Sequence, residues 1–177
     1  NLFGTRFLDF AWNSLTLATI ASIIAVGMAV ILSYGLRLNG TPLTRTATRI
    51  ASMGYAVPGS VVAVGILIPF AWLDSTLNSW LHANYGKIIG LVFSGTAFIL
   101  IYAYVVRFLA VSFNTVEASL GKVTPSMDAA SRTLGQTPAG TLKRVHTPIM
   151  RGSLFAAAIL VFVDVMKELP ATIILRP

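Results

Sequence analysis

Four apolar stretches, at about residues 12–36, 51–73, 87–111 and 149–175, dominate this chain. A bilayer core of about 30 Å is crossed by roughly 20 apolar residues in a helix, so each stretch is long enough to span. Inside lipid every backbone N–H and C=O must be bonded within the protein, which predicts helices for all four. The expected fold is an all-α polytopic bundle with a polar loop at about 112–148. Of the 177 residues 55% are hydrophobic and 11% charged. That is well below the roughly 25% charge of a typical soluble domain, and it fits membrane embedding.

Several function classes drop out early. There is no cysteine, so no disulfide framework and no thiolate metal site, and His82 and His146 lie far apart. No metal site is expected. No Ser–His or His–Asp constellation sits at helical spacing, and no G-x-x-x-x-G-K-[ST] loop is present, so neither an enzyme nor an ATP-hydrolysing chain is expected. The net charge of +7 is confined to short loops and reads as orientation rather than nucleic-acid binding. Arg37, Arg45 and Arg49 occupy the first connection, and Arg107, Lys122, Arg132, Lys143, Arg144 and Arg151 the third, while Asp74–Gly86 has no Lys or Arg. The positive-inside rule puts the first and third connections in the cytoplasm, and the N-terminus outside. The chain begins at Asn1 and stops at Pro177 just after an apolar run, which suggests part of a longer protein.

In the second span Pro58-Gly59 and Pro69 should kink or break the helix. The long polar loop carries helix signals of its own. Thr124-Pro125 and Thr137-Pro138 each place a capping hydroxyl before a proline at a first helical position. Gly135 is placed to stop the first short helix. Asp128 falls in its first turn, where a negative charge suits the helix dipole. The spacing predicts a helix over about 125–134, a turn at Gly135-Gln136 and a second helix over about 138–146. Small residues Ala129, Ala130 and Ser131 would let the first lie close to a partner, with Leu134, Leu142 and Val145 packing back onto the membrane helices. From the residues alone, docking to a partner protein and lying on lipid headgroups stand level.

Asp164, Lys167, Glu168 and Pro170 interrupt the fourth span. At about 1.5 Å per residue Asp164 lies roughly 20 Å into the helix, where an ionisable group should face protein or water. Asp164 and Glu168 fall on one helical face. They either line a solute path or form an ion pair that ties helices together.

The loop resembles that of ABC importer permeases, whose pattern is Glu-Ala-Ala, three residues, Gly, nine residues, Ile-x-Leu-Pro. Here Ala129-Ala130-Ser131, Gly135 and Val145-His146-Thr147-Pro148 keep the spacing, with Ala129 at the acidic position and Asp128 one residue earlier. Two further runs, Tyr55-Ala56-Val57-Pro58-Gly59 and 161–172 with Leu175-Arg176-Pro177, are similar to the ferric-iron-type permeases within that family. The resemblance implies a multi-pass subunit of a bacterial inner membrane. Its docking loop (Asp128, Ala129, Ala130, Ser131, Gly135, Pro148) would seat in a separate cytoplasmic ATPase, and Asp164, Lys167, Glu168 and Pro170 would line the path. It also implies an extracytoplasmic solute-binding protein and a second permease half or copy, with ATP used only by the partner. Related permeases carry spermidine, putrescine, thiamine or sulfate. A transporter or channel working without ATP is the alternative from another class.

Overall fold

The computed structural model describes residues 2–175, and side chains from residue 7 onward; Asn1, Arg176 and Pro177 lie outside them. The described residues form helices and no strand. They are α1 (Leu2–Leu38), α2 (Pro42–Met53), α3 (Gly59–Tyr85), α4 (Ala97–Leu120), α5 (Pro125–Thr133), α6 (Pro138–Thr141), α7 (Thr147–Met166) and α8 (Leu169–Leu175). A 3-10 turn at Gly54–Ala56 follows α2, and a π-helical turn at Leu142–His146 joins α6 to α7. Four helical segments are long and apolar enough to cross a membrane: Phe7–Leu38, Gly59–Tyr85, Ala97–Leu120 and Pro138–Met166.

Helix α4 is the hub. Thirteen of its 24 residues are buried, and α1, α2, α3, α7 and α8 all pack on it. Helix α1 meets it along Ala18, Ala21, Ser22, Ala25 and Ala29, a stripe of small residues recurring every three or four positions. Small side chains let two backbones approach closely in lipid, where van der Waals contact rather than hydrophobicity holds helices together. Ser112 Oγ uses that proximity to donate to the Ala25 carbonyl at 3.1 Å. The opposite face of α1, with Phe10, Trp12, Ile23 and Ile31, is exposed, as a lipid-facing surface would be.

The boundaries differ from the sequence reading in four places, each for a physical reason. The second span is two helices. Helix α2 and the 3-10 turn climb along α4 to Val57-Pro58, where the chain turns extended, and α3 restarts at Gly59. Pro58 breaks the helix as expected, but Pro69 does not; α3 continues through it, leaving the Gly65 carbonyl without its usual donor. The stretch 74–85, read as a loop, is helical. Asp74, counted there as a loop charge, is buried in α3, accepting from the backbone N–H groups of Val92, Phe93 and Ser94 at 2.8–3.3 Å and from Ser94 Oγ at 2.6 Å. Asn78, one turn on, accepts from Ile89 N–H at 2.9 Å and donates to the Gly90 carbonyl at 2.7 Å. Together they fold 86–96 back on α3 as an irregular connection.

The third span therefore runs over Ala97–Leu120 rather than about 87–111, and Lys87 falls in the connection instead of the membrane. In the fourth, helix runs without interruption from Pro138 to Met166 and then breaks at Lys167-Glu168, so the second loop helix is the base of the spanning helix. Pro148 has no N–H to give to Arg144, and the π turn absorbs that mismatch, with Thr147 N–H bonding the Leu142 carbonyl.

Candidate functional site

Two polar constellations stand out, one at the basic end of the bundle and one in its middle. The first is built around α5. Gly135 takes φ +76°, the left-handed region that a Cβ disfavours, and Gln136 N–H closes the helix end on the Ser131 carbonyl at 3.1 Å. Thr137 caps α6 by accepting from Gly140 N–H at 3.1 Å, while Thr124 makes no such bond and pairs with Ser126. Ser131 Oγ lies 2.8 Å from Thr141 Oγ1, tying α5 to α6.

Asp128 points inward. Its Oδ2 accepts from Arg37 Nε at 2.9 Å and its Oδ1 lies 2.6 Å from His146 Nε2. Arg37 also donates to the carbonyls of Leu120 and Val123, both at 2.8 Å, where α4 ends. Burial alone would raise the Asp128 carboxyl, but the hydrogen bonds from His146 and Arg37 and the guanidinium charge hold it below the usual carboxylate value. His146 is fully buried, its ring edge-on to Tyr34 at 5.3 Å, and Tyr34 donates its hydroxyl to the Pro138 carbonyl at 2.7 Å. One carboxylate thus joins α5 to the ends of α1 and α4 and the base of the α6–α7 helix. The outer face of α5 is left free. Ala129 and Ala130 are exposed, as are Met127 and Leu134, the latter at 80%. Leu134 does not pack back onto the membrane helices as the sequence suggested; Leu142 does. Pro148 is exposed beside the π turn.

The second constellation sits where the two helix breaks meet α4. Arg107, counted by sequence among the charges of the third connection, lies near the middle of α4, about 15 Å from Ala97. Its Nε is 3.2 Å from Glu168 Oε2, and its Nη1 donates to the Val57 carbonyl at 3.0 Å, at the first break. Glu168, 7% exposed, lies at the second break, and its Oε1 accepts from Ala171 N–H at 3.3 Å, capping α8. Gly59 packs directly on this pair: a Cβ there would run into Glu168 Oε1 and come within 2.6 Å of Arg107 Nη1. Tyr104 Oη lies 2.7 Å from Thr172 Oγ1, whose hydroxyl also bonds the Glu168 carbonyl. A cavity of about 110 Å³ opens between Ser14, Tyr104, Glu168 and Thr172. Irregular backbone at membrane depth is tolerated where protein or a polar cavity satisfies it, and both breaks meet that condition here.

The four charge-run residues of the sequence reading therefore separate. Glu168 is in the ion pair. Asp164 is half-buried on α7, and Lys167 is exposed at its end; neither joins an ion pair among the described residues. Because α7 ends at Met166, Asp164 and Glu168 do not share a helical face. Pro170 is exposed at the start of α8, so the break precedes it. Sequence reasoning missed Arg37, Tyr34, Arg107 and His146 as members of networks. The signal for Arg107 was an apolar run that continues past it to Val116.

No family model matches the chain. Among curated proteins it is 25% identical over 171 residues to the Fe(3+)-transport system permease FbpB 2 of Haemophilus influenzae, covering 97% of this chain and 31% of that one. It is 26% identical to a spermidine/putrescine permease PotC homolog of Mycoplasma genitalium, covering 87% of this chain and 50% of the other. A third relative, 25% identical, is a 2-aminoethylphosphonate transport permease PhnV of Salmonella paratyphi A, with 94% and 58% covered. The curated relatives are thus ferric transport permeases and related ABC permeases. The chain spans 31% to 58% of the lengths of these relatives.

Proposed function

We propose that this chain is part of the membrane subunit of an ATP-driven importer, that its basic end faces the cytoplasm, and that α5 docks a separate ATPase. The observation that carries this reading is the two-sidedness of α5. Its outer face offers Met127, Ala130 and Leu134, at i, i+3 and i+7, to a partner groove. Its inner face is pinned through Asp128 to three membrane helices. A partner that moved α5 would move those helices with it. Arg37, Arg45, Arg49, Lys122, Arg132, Lys143, Arg144 and Arg151 lie toward this end, against Arg6, Lys87 and Lys167 toward the other, which supports the orientation. ATP would be bound by the partner alone, a solute-binding protein would deliver cargo on the far side, and a second permease half or copy would complete the path.

Ferric iron is the cargo we favour, because ferric permeases recur among the relatives. Polyamine and aminophosphonate permeases at equal similarity keep those cargoes as the second reading. Among the described residues no three His, Asp or Glu side chains group as metal ligands. Iron would then pass the Arg107–Glu168 region carried by ligands it arrives with.

The docking claim is tested by purifying the full-length protein. An ATP-binding subunit, identified by its G-x-x-x-x-G-K-[ST] peptide, should co-purify with wild type and be lost with Gly135→Arg. Retention of that subunit and of transport by the variant contradicts the reading. Uptake of ferric iron, spermidine and 2-aminoethylphosphonate by the assembled transporter, measured side by side, decides the cargo.

A further inference from the structure

Helix α2 is amphipathic. Leu43, Ile50 and Met53 share its outward face and are each more than 60% exposed. Arg45, Arg49 and Ser52 share another flank, at i, i+4 and i+7, and both arginines are exposed along a groove toward α4. An apolar face turned outward suits hydrocarbon. The arginine-bearing flank opens on a polar groove.

That groove, of about 500 Å³ and open to the outside, lies between α1, α2 and α4. Arg45 and Arg49 form one wall, Asn114 and Glu117 of α4 the other, and Leu36 and Phe113 add apolar surface. The volume falls in the range of small-ligand sites. Among the described residues neither arginine is ion-paired, and Glu117 is not paired either. The groove therefore presents two exposed guanidinium groups and one exposed carboxylate, none of them ion-paired among the described residues.

The charges specify what fits. Two guanidiniums one turn apart present forked N–H donors suited to the oxygens of a single phosphate. A simple phosphate would leave Glu117 facing a like charge. A neighbouring ammonium removes that repulsion and gives the carboxylate donors. The depth is also informative: Glu117 lies three residues, about 4.5 Å, from the end of α4, and a 24-residue helix about 36 Å long carries its last turn to the edge of a core of about 30 Å.

We propose that this groove binds a phosphate carrying a primary ammonium a short distance away, with Arg45 and Arg49 holding the phosphate and Glu117 the ammonium. Phosphatidylethanolamine headgroups and free phosphoethanolamine both present that chemistry. The groove shares Leu36 and Glu117 with a smaller one reaching Arg37. An occupant would thus brace the helix ends to which α5 is attached. The site does not depend on which solute is transported.

The test uses the full-length protein in nanodiscs containing equal phosphatidylethanolamine, phosphatidylcholine and phosphatidylglycerol, with retained lipid read by native mass spectrometry. Wild type should retain phosphatidylethanolamine over the other two by roughly tenfold, since a quaternary ammonium cannot donate to Glu117 and glycerol carries no charge. Glu117→Gln should erase that preference while keeping phosphatidylglycerol. Arg45→Gln with Arg49→Gln should lower retention of all three, and Arg45→Lys with Arg49→Lys should fall between. Unchanged elution and circular dichroism show that the variants are folded. In a second arm, O-phosphoethanolamine is added to protein in phosphatidylcholine-only nanodiscs. Thermal stabilisation of wild type, absent in the Arg-to-Gln variant, assigns the site to the free molecule. Equal retention of the three lipids together with no response to O-phosphoethanolamine overturns the proposal. So does a preference that none of the substitutions alters.

Discussion

At the scale of single residues, the account rests on two carboxylates held by arginines. Removing one member of a buried ion pair leaves the other charge without a partner, at a cost of about 3–5 kcal/mol. Arg107→Gln and Glu168→Gln should each lower the thermal unfolding midpoint clearly, and Arg107→Met with Glu168→Met should recover much of it. If the pair also shapes the solute path, the double variant stays folded and loses uptake; full uptake in it would mean that the pair only holds helices together. The Asp128 prediction has a pH sign. Its carboxyl is held below 3.8 in the folded protein, so its contribution is complete above that value and fades as acid protonates it. Protection factors of the α5 amides, corrected for the intrinsic exchange rate at each pH, should be high at neutral pH and fall below about pH 4, and Asp128→Asn should show the reduced protection already at pH 7. Of these residues Asp128 and Glu168 stood out in the sequence, an acid at a helix start and an acid in an apolar run. Their partners did not. Arg37 and Arg107 were read as loop charges because each lay at the edge of an apolar window, and the contacts that hold them bridge 50 residues or more.

At the scale of elements, local chemistry was legible and long-range capture was not. The α5–turn–α6 unit follows from Pro125, Gly135, Thr137 and Pro138 within a dozen residues, and the structure places its elements there. Gly135→Ala should destabilise the unit by about 1–2 kcal/mol through the left-handed backbone alone, read as faster exchange confined to 125–141. The third span was misplaced because nothing near Asp74 in sequence reveals that it will gather the N–H groups of 92–94. Asp74→Ala leaves those donors in want of partners, and its expected cost is about 3 kcal/mol. The loss should release 86–96 to exchange while leaving α5 unaffected. The break at Lys167-Glu168 was also hidden: Pro170 drew attention, yet Glu168 capping α8 sets where the helix restarts.

At the scale of the whole molecule, four apolar runs and few charges were enough for a helical membrane bundle, while the packing order around α4 needed the fold. The central claim is that α5 is the contact with an ATPase and that its outer face makes the contact. These 177 residues hold no cysteine, so a thiol introduced here is the single one in this part of the protein. The direct measurement is site-specific cross-linking of the assembled full-length transporter carrying Met127→Cys, Leu134→Cys or, as an exposed control on a membrane helix, Phe155→Cys. Adducts with the ATP-binding subunit from the first two and none from Phe155→Cys are predicted. Absence of adducts at Met127 and Leu134, in a complex that still hydrolyses ATP and transports, would contradict the account.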